Sequence, residues 1–451
     1  MTASEIVQNI RAAGVVGAGG AGFPTHVKLA ASVETVIANG AECEPLLRAD
    51  RALMTAHAAD VVAGLRLAMD STGASRGVVA LKSEYEDAVA ALRPLADRHT
   101  DIELHFLGSY YPAGDEFLLV EEVTGKVIPE GGLPLHVGVV TSNVGTLVNV
   151  ARAQRGQPVT QRVLTVAGEV QRPATIRVPV GTPVREVLSY VGGASLPAGE
   201  FAVLLGGPLM GQLLDNEDDL EAPVTKTTGG VVVLPADHYL VRRKGRSVAT
   251  NVRWARSACD QCRDCTELCP RYLIGHDLQP HAIMRVVGQG LAEASHIITS
   301  AVLCCECGVC EYYACPLHLS PLEVNREIKR VLAEQGWRNT LHRRDNLTVR
   351  PMWDYRHVPF DRLLARVNLL EYERISVPFE DGDRFPAQVT IPLQQHIGAP
   401  AEPVVAVGDR VRAGQLIGEI PADKLGARVH ASIDGEVTAV VTERHIVIEA
   451  R

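Results

Sequence analysis

Nine of the ten cysteines of this chain lie in two short windows, and this arrangement limits what the chain can fold into. The windows read Cys259-x2-Cys262-x2-Cys265-x3-Cys269-Pro270 and Cys304-x2-Cys307-x2-Cys310-x4-Cys315-Pro316. Three closely stepped thiolates can bind one cubane cluster from a single loop, and the fourth cysteine of such a run binds the other cluster. The spacing therefore predicts two [4Fe-4S] sites.

Each cluster is expected to take three ligands from one run and one from the other. The first cluster takes Cys259, Cys262, Cys265 and Cys315, and the second takes Cys304, Cys307, Cys310 and Cys269. Cys305 is left over, because only position 304 keeps the x2 spacing. Structural zinc and disulfides are the alternatives, but zinc sites usually use two well-separated CxxC pairs. The pattern indicates a protein that moves electrons.

Charge and hydropathy argue against several classes of protein. The chain has 451 residues with 44 Lys and Arg against 53 Asp and Glu, a formal charge of −9, so we expect no nucleic-acid partner. The N-terminus lacks the features of a signal peptide, and no stretch reaches the ~20 apolar residues of a transmembrane helix. Clustered cysteines without a secretory signal predict a reducing, cytoplasmic location.

The first third of the chain alternates strand-like and helix-like segments. Strands are predicted at 33–38, 77–82 and 102–107, with helices at 50–71 and 84–97 between them. This alternation predicts a parallel, doubly wound α/β sheet, whose ligands bind beyond the carboxyl ends of its strands. The loops that could lie at that edge are 14–24, 39–45 and 110–116.

The loop at 14–24 begins with five glycines in nine residues. Without Cβ atoms, its backbone N–H groups can approach an anion closely, and a helix start at 25–29 would add a positive dipole end. The loop is not the G-x-G-x-x-G that follows a first strand, so the standard dinucleotide fingerprint is absent. From these residues alone, a tight turn and a phosphate site both remain open.

Four motifs, taken in order, resemble the flavin site of the NADH-binding flavoprotein subunit of respiratory complex I. They are GAGGAGFPT at 17–25, Asn-x-x-Glu-x-Glu-Pro at 39–45, Tyr-x-x-Gly-Asp-Glu at 111–116 and Asn-Val-x-Thr-Leu at 143–147. Ser142 and Gly145 depart from the Asn and Glu of that family. The resemblance implies one bound FMN and NADH as the electron donor.

The resemblance also implies roles for individual residues. It places the flavin phosphate on Gly17, Gly19, Gly20, Gly22, Phe23, Asn143 and Thr146, and Lys28 is either a phosphate cation or a solvated helix lysine. It places Asn39, Glu42 and Asp115 at the ribityl chain or ring edge, with Gly114 in the same loop as Asp115. Glu44, Glu116 and Tyr111 would face the nicotinamide side. Cys43 is interpreted as a small buried residue, not a redox thiol.

Two further modules follow the first. Residues 162–211 resemble a soluble-ligand-binding β-grasp (SLBB) module, for which a structural role as a spacer is favoured over a corrinoid-binding surface. Residues 403–437 resemble a barrel sandwich of the lipoyl or biotinyl type. Lys424 stands near the position of a lipoyl-bearing lysine, so lipoylation is an alternative, although electron-transfer relatives of this module carry no modification.

The sequence thus predicts a multidomain α/β protein in five parts. They are a doubly wound FMN/NADH-binding domain (1–155), an SLBB β-grasp domain (156–245), an α-helical, ferredoxin-like two-cluster domain (246–335), a connecting region (336–395) and an all-β barrel sandwich (396–451). The RnfC component of the Rnf electron-transport complex has the same parts, with its barrel sandwich first. Placing that module last resembles the cobalamin reductases of propanediol-utilisation microcompartments.

This last resemblance implies an NADH-dependent oxidoreductase that passes electrons through FMN and two [4Fe-4S] clusters to cobalamin. It further implies a corrinoid or a corrinoid adenosyltransferase as partner, contact with a shell protein, and a place inside a bacterial microcompartment. No residue is expected to perform acid–base chemistry on cobalt. An electron-input subunit of an Rnf-like NAD:ferredoxin complex is the alternative. The short N-terminal helix could be a targeting peptide or a cap on the first domain.

Overall fold

The computed structural model describes residues 1–291, 296–442 and 444–450. Residues 292–295 of the predicted cluster domain, and 443 and 451 of the predicted barrel sandwich, lie outside the described residues. The described chain has mixed α/β structure in its first half, mainly helical structure around the cysteines and only strands at the end, so the predicted fold class is confirmed.

The first part of the chain is built on a four-stranded parallel sheet with strand order β3-β2-β1-β5. The strands of this part are β1 (Thr35–Asn39), β2 (Arg76–Lys82), β3 (Ile102–Leu107), β4 (Tyr110–Tyr111, outside the sheet) and β5 (Val139–Asn143). Its helices are α1 (Ala3–Ala12), α2 (Thr25–Lys28), α3 (Ala49–Ala56), α4 (Ala58–Thr72), α5 (Glu86–Ala96), α6 (Glu116–Thr124) and α7 (Val144–Ala153). Val36, Ile37 and Ala38 are fully buried, as expected for a strand covered by helices on both faces.

The predicted helix at 50–71 is two helices, α3 and α4, which meet at 94°. Behind the bend, α4 packs closely on α7, because a Cβ atom at Gly64 would lie 2.0 Å from the carbonyl oxygen of Leu147. No single helix of the described chain is long and apolar enough to cross a membrane, and α3 and α4 reach that length only when counted together across their bend. Helix α1 buries Ile6 and Ile10 in the core of this part, so it packs as a cap on the domain.

The second part of the chain forms a six-stranded mixed sheet with strand order β12-β7-β6-β10-β8-β9. Its elements are β6 (Gln161–Gly168), β7 (Ala174–Pro179), α8 (Val184–Tyr190), β8 (Phe201–Leu205), β9 (Gln212–Leu214), β10 (Gly230–Pro235) and α9 (Tyr239–Lys244). Helix α8 packs Val184, Val187 and Leu188 onto one face of this sheet. The arrangement agrees with the predicted β-grasp module.

The third part is helical and surrounds the cysteines. Its α-helices are α10 (Val248–Ala258), α11 (Asp264–Glu267), α12 (Pro270–Leu273), α13 (Pro280–Gly288), α14 (His296–Thr299) and α15 (Pro321–Glu334), and residues Val309–Ala314 form a π-helix. Short 3₁₀ helices occur throughout the described chain at Pro134–Val137, Asp218–Glu221, Ser300–Leu303 and Trp353–Tyr355. Three of these six α-helices have a single turn, so loops carry much of the backbone near the cysteines.

The predicted connecting region ties the other parts together. Strand β11 (Val358–Pro359) pairs with β4 of the first part, and β12 (Phe379–Glu380) adds an edge strand to the second sheet. Helices α16 (Phe360–Arg366) and α17 (Leu370–Glu373) lie between these strands. The segment therefore spans the first two parts of the molecule.

The C-terminal part consists of two small facing sheets around one apolar core. Their strands are β13 (Gln388–Pro392), β14 (Glu402–Pro403), β15 (Arg410–Val411), β16 (Leu416–Glu419), β17 (Val429–His430), β18 (Gly435–Val441) and β19 (His445–Ala450). Strand β13 pairs with β19, so this sheet includes residues of the predicted connecting region. Lys424 is exposed in the turn between β16 and β17, and its modification stays a prediction.

Candidate functional site

The structure gathers the clustered cysteines around two cavities. The first cavity is lined by Cys259, Cys262, Cys265 and Cys315 among others. The second cavity is lined by Cys269, Cys304, Cys305, Cys307 and Cys310 among others. Each cavity thus receives three regularly spaced sulfurs from one run and the fourth from the other run. The individual assignment of these sulfurs as ligands stays a prediction.

A π-helix accommodates the longer spacing of the second run. Cys310 lies within the π-helix Val309–Ala314, and Cys315 follows directly after it. A π-helical turn holds an extra residue relative to an α-helical one and often marks a functional site. The x4 spacing therefore still brings Cys315 to the first cavity, where the N–H of Leu319 donates to its sulfur at 3.3 Å.

The chemistry of the sulfurs fits iron–sulfur clusters. Burial raises the pKa of the Cys265 thiol to about 12 and that of Cys304 to about 11, so only a bound metal centre would hold them as thiolates at neutral pH. Among the described residues, no three His, Cys, Asp or Glu side chains converge as ligands of one metal ion. Four sulfurs spread around a cavity fit a cubane, which offers each of them a different iron.

The two cavities differ in their exposure to solvent. Cys269, Cys307 and Cys310 of the second cavity are each less than 9% exposed. In the first cavity Cys262 is exposed, and the neighbouring Leu317 is 41% exposed. The first cavity is therefore the more exposed of the two, whereas three of the sulfurs at the second are buried.

The second cavity contacts the loop that carries the Tyr-x-x-Gly-Asp-Glu motif. The Tyr111 hydroxyl is buried and donates to the backbone carbonyl of Cys307 at 2.6 Å. The guanidinium of Arg271, two residues after Cys269, donates to both carboxylate oxygens of Asp115 at 2.6 and 3.0 Å. The polar groups of both motif residues are thus engaged by the cluster region, which the sequence did not predict.

The glycine-rich loop forms an open cradle of backbone N–H groups. The Gly17 N–H donates to the Phe23 carbonyl at 3.0 Å and closes the base of the loop. Gly19, Gly20 and Ala21 are exposed, and within the described chain their N–H groups have no hydrogen-bond acceptor. A Cβ atom at Gly20 would meet nothing within 4 Å, so the space above the loop is free for a ligand.

The positive helix end beside this cradle belongs to α7. Helix α2 has only four residues, so the predicted dipole at 25–29 is that of a single turn. Asn143 caps α7, and a Cβ atom at Gly19 would lie 2.8 Å from its Nδ2. The Thr146 hydroxyl accepts from the Ala18 N–H at 2.8 Å and fixes the loop to this helix. The structure therefore brings Asn143 and Thr146 to the glycine loop, as the resemblance implies.

A half-buried acid pair lies next to Asn143. Glu42 accepts the backbone N–H of Asp50 at 2.9 Å, and Asn143 donates to Asp50 at 2.6 Å. Burial, and secondarily the Asp50 charge, raises the pKa of Glu42 to about 8, and burial also raises that of Asp50. Sequence analysis missed Asp50, because an acidic residue in the first turn of a helix is ordinary.

The two remaining acidic motif residues, Glu44 and Glu116, have separate hydrogen-bond partners. Glu44 accepts the N–H groups of Leu209 and Met210 at 2.5 and 2.9 Å, and within the described chain its buried Oε2 has no hydrogen-bond partner. Glu116 accepts the Thr141 hydroxyl at 3.1 Å. Glu44 therefore joins the first part of the chain to the Gly-Gly-Pro-Leu-Met-Gly loop of the second.

The remaining residues named for this region are Asn39, Lys28, Cys43, Gly22 and Phe23. The Asn39 amide donates to the Gly114 carbonyl at 2.9 Å and so connects two of the motif loops. Burial lowers the pKa of Lys28, and the nearby Glu116 carboxylate partly opposes this change. Burial raises the pKa of Cys43 to about 12, so this thiol is protonated at neutral pH and is not a reactive nucleophile. Gly22 and Phe23 lie at the far end of the loop, where Gly22 packs against Gln395.

Comparison with protein families agrees with the order of these parts. Residues 10–152 match the Nuo51 FMN-binding domain, 163–213 the SLBB domain, 258–320 a 4Fe-4S dicluster domain and 381–450 the RnfC barrel sandwich hybrid domain. Together with the cradle of backbone N–H groups in the glycine-rich loop and the two cysteine cavities, these matches define an oxidoreductase of electron transport that uses FMN and iron–sulfur clusters.

Full-length relatives define the family more closely. The chain is 47% identical over 443 residues to "Cobalamin reductase PduS" of Salmonella typhimurium, covering 98% of this chain and 95% of the relative. It is 44% identical over 449 residues to the protein of the same name from Citrobacter freundii, covering 99% and 96%. The chain belongs to the cobalamin reductase PduS family.

More distant similarities cover part of the chain. A component of the Na(+)-translocating ferredoxin:NAD(+) oxidoreductase complex of Acetobacterium woodii is 38% identical over 279 residues, which are 60% of this chain and 59% of that protein. Among solved structures, the H2-reduced NAD+-reducing [NiFe]-hydrogenase matches with a TM-score of 0.50 and 24% identity, over 75% of this chain and 63% of that chain. The second likeness shows the fold alone.

Proposed function

We propose that this protein is an NADH-dependent reductase that delivers single electrons to a corrinoid. The names of the full-length relatives support cobalamin as the acceptor. The observation that carries the proposal is the position of the two cysteine cavities. The second contacts the flavin-motif loop through Tyr111 and Asp115, and the first opens to the surface at Cys262.

The residues of the first part fit an FMN molecule. The free N–H groups of Gly19, Gly20 and Ala21, with the N-terminus of α7, would hold its phosphate. The half-buried carboxyl of Glu42 would meet its hydroxyl groups. FMN held by these residues would supply the conversion of electron pairs from NADH into the single electrons that clusters require. The chain itself contributes binding, orientation and exclusion of water.

The positions of the two cysteine cavities define the order of electron transfer in this proposal. Cys269, Cys304, Cys307 and Cys310 would hold the cluster that receives electrons first, because their cavity touches the flavin-motif loop. Cys259, Cys262, Cys265 and Cys315 would hold the cluster that delivers them, because their cavity reaches the solvent. The SLBB module would act as a spacer, since its 206–211 loop is fixed by two side chains. Glu44 accepts the Leu209 N–H, and Lys244 donates to the carbonyl oxygens of Leu209 and Gly211.

The experiment compares the wild-type protein with Cys262→Ser and Cys307→Ser after anaerobic purification. We expect about one FMN and about eight irons in the wild type, and EPR signals of reduced clusters after addition of NADH. Cys262→Ser should keep NADH-driven reduction of its remaining cluster and lose reduction of hydroxocobalamin. Cys307→Ser should lose its own cluster and also lose the NADH-driven reduction of the cluster held by Cys259, Cys262, Cys265 and Cys315. The opposite pattern would contradict the proposed order of the clusters, and a wild type without flavin or NADH response would refute the reductase.

The same preparation tests the alternative function and the partners. Reduction of a ferredoxin without reduction of cobalamin would favour an electron-input role like that of the Acetobacterium complex. Binding of a corrinoid adenosyltransferase, contact with a shell protein and a location inside a microcompartment are further proposals from the family resemblance. If α1 served as a targeting peptide, Ile6 and Ile10 would have to leave the core of the first part.

A further inference from the structure

A buried lysine joins three parts of the molecule at the start of the glycine loop. Lys226 of the second part is only 4% exposed, and its ammonium group donates to the carbonyl oxygens of Gly14 and Arg428, each at 2.8 Å. Within the described chain it forms no ion pair with a carboxylate. A buried unpaired charge is costly, so its presence here requires a reason.

Residues of the second part and of the C-terminal part lie against both ends of the glycine loop. Gly14 at its start has φ +65°, and a Cβ atom there would lie 2.3 Å from the Arg428 carbonyl and 2.9 Å from the Lys226 ammonium. Gly22 at its end has φ +72°, and a Cβ atom there would lie 2.9 Å from the Gln395 carbonyl and 3.0 Å from a Thr227 methyl group. The free N–H groups of the cradle lie between these two anchored glycines.

We propose that Lys226 is a positioning residue for the flavin phosphate. Its ammonium group fixes the start of the glycine loop to the C-terminal barrel sandwich and supplies a positive charge behind the anion. The SLBB and barrel-sandwich modules thereby complete a binding site that lies in the first part of the chain. The inference rests on the proposed function, in which this loop binds the phosphate of FMN.

Lys226 is the group in this cluster whose charge is expected to change near neutral pH. The ionisable side chains that interact with Lys226 are His396 and His430, and the Arg428 carbonyl accepts from its ammonium group. His26, Glu419 and Arg11 interact in turn with these groups or with one another. Burial lowers the pKa of His396 to about 4 and that of His430 to about 3, so both are neutral at pH 7. Arg428 is paired with Glu419 at 2.7 Å. Burial lowers the pKa of Lys226 itself to about 7.

Two opposite pH trends follow from this arrangement. The phosphate anion should favour the ammonium form, so the affinity for FMN should fall as the pH rises from about 7 to 9. The pKa of Lys226 is lower in the folded chain than in the unfolded one, so its contribution to folding stability should increase over the same range. A merely structural role would make flavin retention follow stability, and both would then change in one direction.

The test measures FMN dissociation from the full-length protein by flavin fluorescence between pH 6.5 and 9. Iron content and thermal unfolding are measured on the same samples. The variants are Lys226→Met, which removes the charge and the donor, and Lys226→Gln, which removes the charge and keeps a donor. Lys126→Met, in an exposed ion pair with Glu34, is the matched control. Because Glu42 titrates in the same range, each pH profile is taken as the difference between wild type and variant.

We expect both Lys226 variants to keep their iron and to bind FMN about tenfold more weakly at pH 7, the effect of one nearby charge in a medium of intermediate polarity. The difference from wild type should vanish toward pH 9, and Lys126→Met should resemble the wild type. Unchanged FMN affinity in both variants, a difference that does not depend on pH, or loss of iron together with flavin would each overturn the proposal. A wild type that binds no FMN would instead refute the proposed function.

Discussion

Arg271 binds both carboxylate oxygens of Asp115, at 2.6 and 3.0 Å, across 156 positions of sequence. Asp115 also caps α6, and the guanidinium lies 3.8 Å from the ring centre of Phe117. Both charged side chains are largely buried, at 7% and 13% exposed. This pair connects the flavin-motif loop to the segment that supplies Cys269.

Replacing Arg271 by Met should weaken this connection strongly. The methionine keeps most of the contact with Phe117 but leaves the Asp115 carboxylate buried without its partner, at a cost of about 3–5 kcal/mol. We expect NADH to reduce the flavin at the wild-type rate and the clusters more slowly. Stopped-flow absorbance, with flavin and cluster bands followed separately, measures both steps. Arg330→Met, on the exposed face of α15, should change neither, and a wild-type rate of cluster reduction in Arg271→Met would contradict the role of the pair.

The Tyr111 hydroxyl provides a smaller and separate contact. Tyr111→Phe keeps the buried ring and leaves the Cys307 carbonyl without this donor, so we expect a loss of about 1–3 kcal/mol. Both clusters and FMN should remain. The KM for NADH, measured with an artificial acceptor, should stay unchanged, because the hydroxyl is directed toward Cys307. A large increase in that KM would support the implied nicotinamide contact instead.

Local patterns predicted much of the fold and of the cysteine sites. The alternation of strands and helices indicated the parallel sheet, and the x2 steps grouped sulfurs that the structure places around each cavity, although their assignment as ligands stays a prediction. The bend between α3 and α4 could not be predicted, because no Pro or Gly marks it near His57. The bonds of Lys226 to residues 14 and 428 depend on packing among distant segments, which leaves no local sequence signal.

Cys304 and Cys305 should differ in their contribution to the second cluster. Both line its cavity, but Cys304 keeps the regular spacing and accepts the N–H of Glu306 at 3.4 Å. We expect Cys304→Ser to lose about four irons and Cys305→Ser to keep about eight, since four thiolates complete one cubane. Iron analysis and EPR of the reduced protein distinguish the two variants. Loss of iron in Cys305→Ser with retention in Cys304→Ser would mean that the adjacent thiol is the ligand.

The half-buried pair of Glu42 and Asp50 should make stability fall as the pH rises. The pKa of Glu42 is raised to about 8 in the folded chain, above its ordinary value of 4.5, so between these values the native state binds more protons than the unfolded state. Unfolding free energy therefore decreases with pH across this window, and the penalty is complete above about pH 8.

Glu42→Gln removes this titration and can still accept the Asp50 N–H. We expect the thermal stability of the variant, relative to wild type, to increase from pH 5 to pH 9. Glu103→Gln, an exposed carboxylate on β3, serves as control and should show a much smaller trend. A Glu42→Gln difference that is constant with pH would show that Glu42 is ionised throughout this range.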